Sequence, residues 1–248
     1  MNVCLIGLGS WGKKLLNSLK NIRKIKTITV VKNRKDQTKI DYKSIKWAFI
    51  SVNTANHYSV VKKILKNKVN VFCEKPLTNN LKQDIELFKI AKKNKCKLYV
   101  SDIENFKNKK LTIKKENFIV RQKFSKDKSD IANRLAYHDF TYLFKYLRNK
   151  KEKKFKIIKK KIGEIKFSIE FDDKKFLFDY SLNSQTKKHK FNNTNLTSKR
   201  DVIKKMITKI INNKINFTKN LNISIFSNKL TKKINGSNKK KNYYYYSS

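Results

Sequence analysis

Proline and glycine are scarce in this 248-residue chain, which has one proline and five glycines. That scarcity excludes a collagen-like chain and argues against linker-rich proteins and many-turned all-β folds, because these depend on both residue types. At the same time 39% of the residues are hydrophobic and 12% are aromatic, too many for a disordered chain. We therefore expect helices and long strands, arranged as one large domain or two small ones.

Long apolar runs are also missing. Trp47–Val52 is among the longest, and it has the length of a strand, whereas a membrane helix needs about 18 or more apolar residues. At the N-terminus the apolar run precedes the first basic residue, which reverses the order of a secretory signal. These features predict a cytoplasmic protein without a membrane partner.

Cysteine is rare and unpaired. Cys4, Cys73 and Cys96 are far apart in the chain, and no Cys-x-x-Cys spacing occurs among them. Zinc sites and disulfide frameworks both need closer or more numerous cysteines. We predict three reduced thiols and no metal site.

Acidic residues are few, since 18 Asp and Glu stand against 62 Lys and Arg, for a net charge of +44. Such an excess normally suggests nucleic acid as a partner. Only six of the basic residues are arginine, however, and lysine is spread over the whole chain. Nucleic-acid readers favour arginine, whose planar fork grips phosphates and guanine edges. We therefore predict weak, salt-sensitive binding to polyanions and no specific nucleic-acid partner.

The N-terminal segment has the pattern strand, turn, helix. Asn2–Gly7 has the length of a buried strand, and the apolar residues of 11–22 recur at helical spacing. The turn between them is Gly7-Leu8-Gly9-Ser10-Trp11-Gly12, a Gly-x-Gly-x-x-Gly sequence at the place where a dinucleotide-binding unit has one.

Each glycine of this turn has a distinct expected role. Gly7 would make the tight bend, Gly9 would let the backbone approach a diphosphate, and Gly12 would let helix and strand pack closely. Free N–H groups at the helix start, including those of Ser10 and Trp11, would bind the phosphates. The alternative is a tight strand-to-helix turn that holds no ligand.

The end of the second predicted strand, Thr27–Val31, bears on the choice of cofactor. NAD-binding folds often carry an acidic residue there for the ribose 2′-hydroxyl, but the sequence continues Lys32-Asn33-Arg34-Lys35. A 2′-phosphate would suit these basic residues, which slightly favours NADP and makes Asn33 and Arg34 candidate cofactor contacts. Because lysine is abundant everywhere in the chain, NAD stays open.

Two further strands are followed by polar turns. Ala48–Val52 precedes the small polar residues of 53–56, and helical spacing resumes over Tyr58–Leu65. Asn70–Cys73 precedes Glu74-Lys75-Pro76, which contains the single proline and predicts a fixed turn, with a cis bond as one form of it. A lysine at the carboxyl end of a strand lies where doubly wound sheets bind ligands, so Lys75 is a candidate for proton exchange with a substrate hydroxyl.

The ordered segments GLGSWG, AFISVNTANHYSVVKKIL and KVNVFCEKPLTNN resemble the glucose–fructose oxidoreductase/inositol dehydrogenase (Gfo/Idh/MocA) family. The resemblance implies a nicotinamide cofactor, with Lys75 beside the nicotinamide as the catalytic proton carrier and substrate contact. It implies that Glu74 contacts the ribose or nicotinamide side. The residues implied to line the cofactor groove are Val52, Asn53, Asn56 and His57.

A helix over Leu81–Asn94 and a strand over Lys97–Ser101 are expected to complete the nucleotide-binding domain. Beyond it the sequence predicts a small α+β domain. Its expected strands are Phe118–Phe124, Ile162–Ile169, Lys175–Ser181 and Lys187–Phe191, and its expected helices are Ile131–Leu147, Asp201–Ile215 and Leu221–Ile234.

His138 precedes an apolar helical stripe in this half and points away from it, in the sequence Tyr137-His138-Asp139-Phe140. The family resemblance implies that His138 contacts the reacting sugar hydroxyl as general base or ligand, and that Asp139 orients it or binds another hydroxyl. Related enzymes commonly have an acid four residues earlier, where this chain has Arg134. Arg134 is therefore a candidate either to bind an anionic substrate or to lower the pKa of His138.

The predicted fold class is α/β, with an N-terminal Rossmann doubly wound parallel sheet and a second, smaller α+β domain with a mainly antiparallel sheet. The predicted domains are 1–112 for NAD(P) and 113–234 for substrate and oligomerisation, with a disordered tail at 235–248. The expected function is hydride transfer between nicotinamide and a hydroxyl or keto carbon of a sugar, nucleotide sugar or cyclitol. The alternative is a catalytically degenerate NAD(P)-binding sensor. The family resemblance also suggests a homo-oligomer, and Lys75 and His138 are expected to face one cleft.

Overall fold

The computed structural model describes residues 1–32, 40–107, 109–197 and 201–237, together with the backbone of 243–244. The chain divides into two compact units. Unit 1 consists of residues 1–106 and 201–225, and unit 2 consists of residues 107–200 and 226–248. Residues 201–225 therefore pack in unit 1 together with the first 106 residues of the chain.

The first part of unit 1 alternates strands and helices. Its elements are β1 (Asn2–Ile6), α1 (Ser10–Lys20), β2 (Thr27–Val31), β3 (Ile45–Ile50), α2 (Thr54–Lys66), β4 (Asn70–Cys73), α3 (Leu81–Lys93) and β5 (Leu98–Val100), with a 3₁₀ turn at Ile103–Phe106. The five strands form a parallel sheet in the order β2-β1-β3-β4-β5. This is the predicted doubly wound Rossmann sheet.

Unit 2 contains most of the remaining elements. They are β6 (Glu116–Phe124), α4 (Tyr137–Leu147), β7 (Glu152–Lys161), β8 (Glu164–Phe171), β9 (Lys174–Ser181), β10 (Asn183–Phe191), β11 (Thr194–Asn195) and β12 (Tyr243–Tyr244). The seven-stranded sheet has the order β11-β10-β6-β9-β8-β7-β12, and every described pair except the parallel β6–β9 pair is antiparallel. The predicted fold class is thus confirmed in both units.

Two helices follow the long sheet in sequence. Helix α5 (Val202–Ile211) packs on α1 in unit 1, and α6 (Phe217–Gly236) contains residues of both units. Within the described residues, no helix is long and apolar enough to cross a membrane.

Strand alternation explains why unit 1 has helices on both faces of its sheet. Successive side chains of a strand point to opposite faces. Cys4 and Ile6 of β1 therefore join the apolar cluster of α2 and α3, whereas Val3 and Leu5 join that of α1 and α5. Because both faces are covered, these strands are nearly continuous apolar runs, which is why they can be predicted from the sequence.

The core of unit 2 lies on one face of its sheet. Phe140, Leu143 and Leu147 of α4 pack against strand residues such as Phe167 and Phe178, whose rings are stacked at 4.6 Å. The predicted apolar stripe on this helix is confirmed. The preceding residues Ala132–Ala136 form a π-helical turn instead of the continuous helix predicted from 131.

Strand β7 is absent from the prediction. Its sequence EKKFKIIKKK buries Phe155, while most of its lysines point away from the core. The predicted tail differs as well, because α6 extends to Gly236 and Tyr243–Tyr244 pair with β7. The other tail residues after 237 lie outside the described part of the chain.

Candidate functional site

The glycine turn after β1 has the three features predicted for it. Gly7 has a φ of 97°, in the left-handed region, and a Cβ there would lie 2.7 Å from the Ser51 carbonyl carbon. A Cβ on Gly12 would lie 2.2 Å from the Gly7 carbonyl oxygen, so only glycine allows this approach of helix and strand. At Gly9, by contrast, a Cβ would meet no described atom within 4 Å. The open side of the turn is therefore at Gly9.

Helix α1 begins at this open side. Gly9 is its N-cap, no side chain caps the helix, and its first turn carries no acidic residue. Lys13 N–H is the donor to the Gly9 carbonyl at 2.9 Å, so the N–H groups of Ser10 to Gly12 precede the first intrahelical bond. Uncapped N–H groups and the positive end of the helix dipole suit a diphosphate. The residues present therefore fit a dinucleotide.

The position of the turn in the sheet supports the same reading. The chain goes from β1 to β2 on one side and to β3 on the other, so the strand order reverses at β1 and β3. Ser51, just beyond β3, donates from its N–H to the Ile6 carbonyl at 2.9 Å and from its hydroxyl to the Gly7 carbonyl at 2.8 Å. Open α/β sheets bind ligands beyond the carboxyl ends of strands at such a reversal.

The start of α2 adds polar groups at this edge. Asn53 is its exposed N-cap and makes no capping bond through its side chain, and Asn56 is half-buried one turn later. Half-buried Val52 supplies a backbone carbonyl to the His57 ring. Ser51 bonds directly to the glycine turn, and α2 begins three residues after Ser51. The start of α2, with Asn53 and Asn56, therefore lies near that turn.

The side chain of His57 is enclosed by backbone carbonyl groups. Its side chain is 1% exposed, its Nδ1 lies 3.0 Å from the Pro76 carbonyl oxygen, and its Nε2 lies 3.0 Å from the Val52 carbonyl oxygen. Burial lowers the pKa of His57, against the opposite effect of these carbonyls. His57 therefore ties the 52–57 turn to the Pro76 turn.

The Glu74-Lys75-Pro76 turn follows β4, with a cis bond before Pro76. Lys75 is half-buried, whereas Glu74 is 9% exposed. Burial raises the pKa of Glu74, and the neighbouring Trp11, Lys75 and Ser101 act in the opposite direction. The Glu74 carboxyl group thus lies in the interior beside Trp11 and Ser101.

The predicted substrate-side residues lie in unit 2. His138 is half-buried in the first turn of α4, and its carbonyl accepts a bond from the Thr141 hydroxyl at 2.7 Å. The π-helical turn Ala132–Ala136 comes just before it. Such turns are often found at functional sites.

Asp139, the next residue of α4, has an enclosed carboxylate. Its side chain is 3% exposed, and its carboxylate accepts bonds from Arg121 Nη1 at 3.2 Å, His189 Nε2 at 2.7 Å and Tyr180 O–H at 2.9 Å. Burial alone would raise the pKa of Asp139, but His189 and Arg121 hold it below its usual value. Asp139 therefore anchors α4 to the sheet, because its oxygens are occupied by residues of β6, β9 and β10.

Arg134 is engaged on the protein surface. Its guanidinium pairs with Asp127, and its Nη2 lies 3.0 Å from the Ser125 hydroxyl. The positive charge of Arg134 is therefore balanced locally by Asp127. Of the predicted NADP contacts, Lys32 is exposed after β2, while Asn33, Arg34 and Lys35 lie outside the described residues.

Several residues of these sites escaped the sequence prediction. Ser51, Ser101, Arg121, Tyr180 and His189 have no motif around them. The alternation of side chains along a strand offers a signal for one of them. His189 is two residues before buried Phe191 and therefore points to the same, buried face of the sheet.

The parallel sheet, the bend at Gly7 and the open, uncapped start of α1 together define a dinucleotide-binding Rossmann domain. Residues 1–102 match the family model described as "Oxidoreductase family, NAD-binding Rossmann fold" (GFO_IDH_MocA). Over these residues the chain matches the Gfo/Idh/MocA family of NAD(P)-dependent oxidoreductases, as its three sequence segments predicted.

Solved structures resemble the chain over most of its length. UDP-N-acetylglucosamine 3-dehydrogenase GnnA from Acidithiobacillus ferrooxidans has a TM-score of 0.78 at 12% identity, covering 94% of this chain and 96% of that one. A myo-inositol dehydrogenase from Corynebacterium glutamicum has 0.73 at 10%, covering 94% of each chain. The WlbA (WbpB) dehydrogenase from Thermus thermophilus, in complex with NAD and UDP-GlcNAcA, has 0.73 at 10%, covering 93% and 94%. At these identities the likeness is one of fold. A search of curated protein sequences finds no significant match.

Proposed function

We propose that the chain is an NAD(P)-dependent oxidoreductase that moves hydride between nicotinamide and a hydroxyl or keto carbon of a sugar, nucleotide sugar or cyclitol. The observation that carries the proposal is the Gly7–Gly12 turn, where a bend, an open approach and an uncapped helix start coincide. The family of the domain and the sugar-related names of three solved structures support the reaction class.

A bound nicotinamide dinucleotide supplies the hydride donor or acceptor, so the chain has to bind it and move a proton. The backbone N–H groups of Ser10 and Trp11 hold the diphosphate, and Asn53 and Asn56 line the rest of the cofactor groove. Lys75 Nζ gives a proton to, or takes one from, the reacting oxygen as the carbon changes oxidation state.

On the substrate side, His138 binds the reacting hydroxyl or acts as its general base. Arg134 receives an anionic group of the substrate by exchanging its carboxylate partner Asp127 for that group, since guanidinium binds carboxylate and phosphate with the same fork geometry. NADP is the slightly preferred cofactor, because the chain continues after β2 with Lys32 and further basic residues where an acid would select NAD.

Fluorescence titration with NADPH and NADH at about 200 mM salt tests the cofactor site, since that ionic strength suppresses non-specific binding to so basic a protein. We expect saturable binding that is lost in Gly9→Asp, where a carboxylate would occupy the diphosphate approach. Gly236→Asp is the matched control, because Gly236 is also open and ends α6. Binding of neither dinucleotide, or equal binding by Gly9→Asp, would refute the site.

Turnover tests the reaction. On a panel of sugars, nucleotide sugars and cyclitols we expect Lys75→Met and His138→Asn to lower kcat by about 100-fold or more, the usual contribution of a positioned acid or base. Lys82→Met, at an exposed position of α3, is the control. An unchanged kcat in Lys75→Met would remove that residue from the mechanism.

A second candidate function is a dinucleotide-binding sensor without catalysis. It is favoured by one observation, that the carboxylate of Asp139 is enclosed by Arg121, Tyr180 and His189 and cannot reach a substrate. Saturable dinucleotide binding without turnover of any compound in the panel would support it.

We also propose a homo-oligomer formed through the outer face of the long sheet. A groove of about 460 Å³ on this face includes Phe118, Ile158 and Leu177 in its lining, and the first two side chains are 49% and 48% exposed. Phe118→Lys should shift the mass measured by light scattering towards the monomer. A monomeric wild-type protein would refute the interface.

A further inference from the structure

Three buried polar atoms of unit 1 meet around the Glu74 carboxyl group. Trp11 Nε1, Glu74 Oε1 and Ser101 Oγ are each buried, and none has a hydrogen-bond partner within the described part of the chain. Trp11 and Ser101 nevertheless lie close enough to Glu74 to lower its pKa. The indole and the hydroxyl therefore interact with the Glu74 carboxyl group without reaching the geometry of full hydrogen bonds.

The backbone around the three side chains is fixed. Glu74 N–H is the donor to the Ile50 carbonyl at 2.9 Å, and Ser101 N–H is the donor to the Cys73 carbonyl at 2.9 Å. The Glu74 side chain and the Trp11 ring are thus the parts that can adjust. An unsatisfied buried polar group costs free energy. A ligand that brings these three groups into hydrogen-bonding geometry therefore stabilises the state in which the bonds are made.

Trp11 connects this cluster to the diphosphate site. It is the second residue of α1, so its backbone N–H is one of the uncapped donors at the helix start. Its indole N–H is the buried atom beside Glu74, and Lys14 covers the ring with its Nζ 5.1 Å from the ring centroid. A ligand that orders the first turn of α1 therefore also orders the indole.

Glu74 connects the same cluster to Lys75. The Lys75 N–H lies 3.4 Å from Glu74 Oε2, so the carboxyl group contacts the backbone that carries Lys75. Two titratable groups interact with Glu74, namely Lys75 and the buried thiol of Cys73. The pKa of Cys73 is raised by its burial and by the nearby charges of Glu74 and Asp84.

We propose that Trp11, Glu74 and Ser101 form a positioning unit that closes when a dinucleotide diphosphate binds at α1, and that its closure fixes the backbone of Lys75. On binding, the Trp11 indole and the Ser101 hydroxyl donate to the Glu74 carboxylate. This inference rests on the proposed function for its ligand, but the cluster itself can be tested without one.

The chain contains two tryptophans, so its indole N–H groups give two signals in a ¹H–¹⁵N spectrum. Trp11→Phe identifies the Trp11 signal, and buried Trp47 serves as an internal control. We expect the Trp11 signal to move with pH in one step, at a higher pH than an exposed glutamate titrates, because burial raises the pKa of Glu74. Glu74→Gln should abolish the step, and Ser101→Ala should move it to higher pH.

Dinucleotide binding should move the Trp11 signal downfield and leave that of Trp47 in place. Because binding favours the Glu74 carboxylate, NADPH affinity should rise with pH through the same step, by about tenfold for each unit by which binding shifts the midpoint. Glu74→Gln should remove this rise. Gly9→Asp should abolish the ligand-induced shift while keeping the pH step.

The outcomes separate the two proposals. A Trp11 signal that ignores pH in the wild-type protein overturns the positioning unit, even where NADPH binds. The same affinity profile in the wild type and Glu74→Gln overturns its coupling to the ligand. A pH step without any dinucleotide-induced shift keeps the cluster and refutes the proposed cofactor, and with it the coupling.

Discussion

Replacing each of two glycines in the same turn by alanine should separate stability from binding. In Gly12→Ala the new methyl group would be 2.2 Å from the Gly7 carbonyl oxygen, about 1 Å inside an acceptable contact. Neither atom belongs to a flexible side chain, so α1 has to move away from the β1 turn. Overpacking of this kind costs about 1–3 kcal/mol, and a backbone partner places this site near the upper end. The better helix propensity of alanine returns up to about 1 kcal/mol. We therefore expect a net loss of about 2 kcal/mol.

Gly9→Ala is the matched variant. Its backbone, with φ of −66° and ψ of −173°, is open to any residue, and its Cβ meets no described atom within 4 Å. Stability should therefore stay within about 0.5 kcal/mol of the wild type, the usual effect of a neutral surface change. The methyl group does occupy the diphosphate approach, so dinucleotide affinity should fall about tenfold or more, equivalent to about 1.4 kcal/mol.

Urea unfolding followed by far-ultraviolet circular dichroism gives the free energies, with both variants measured without ligand. The titration with NADPH gives the affinities of the same preparations. If Gly12→Ala is as stable as Gly9→Ala, the close approach of α1 to the turn is not what requires glycine at position 12, and the packing argument fails.

Three further predictions concern buried ionisable groups. Burial raises the pKa of Asp102 from 3.8 to about 7, so the folded chain binds this proton more tightly than the unfolded chain and loses up to about 4 kcal/mol of stability as the pH rises from 4 to 7. In urea unfolding, the stability of Asp102→Asn relative to the wild type should therefore increase over that range, and a constant difference would contradict this. Asp139→Asn should cost about 3–5 kcal/mol in the same assay, because it leaves Arg121 and His189 buried without a carboxylate, and a loss below about 1 kcal/mol would exclude the anchoring role. Native alkylation at pH 8, followed by mass spectrometry, should modify half-buried Cys96 before Cys4, since burial raises the pKa of the Cys4 thiol to about 12, and the reverse order would show that β1 opens readily.

The parts of the fold that could be predicted share one property, that local sequence fixes them. The roles of Gly7, Gly9 and Gly12 depend on backbone geometry within six residues, so the motif carries them almost completely. Buried parallel strands such as Asn70–Cys73 are continuous apolar runs, and this one was predicted with the bounds that the structure has. Strand β7 was missed because lysines on its outer positions hide the alternation that marks a half-buried strand.

The contacts that could not be predicted depend on partners distant in the chain. Asp139 was assigned to substrate because its bonds to Arg121, Tyr180 and His189 join residues up to 50 positions apart. His57 was assigned to a groove because its bond to the Pro76 carbonyl is formed only once two strand ends are adjacent. Tertiary polar networks of this kind leave no periodic or motif signal in one sequence.

The return of residues 201–225 to unit 1 has a consequence for the order of folding in the cell. The sheet face that carries Val3, Leu5 and Phe49 is covered by Met206, Ile207 and Ile210 of α5. During synthesis that face stays bare on its α5 side until residues 202–211 have left the ribosome, although domains usually fold from the N-terminus as they emerge. The nascent dinucleotide domain is therefore exposed to chaperones and to aggregation until α5 has been made, and a ribosome stalled before residue 201 should hold it in a protease-sensitive form.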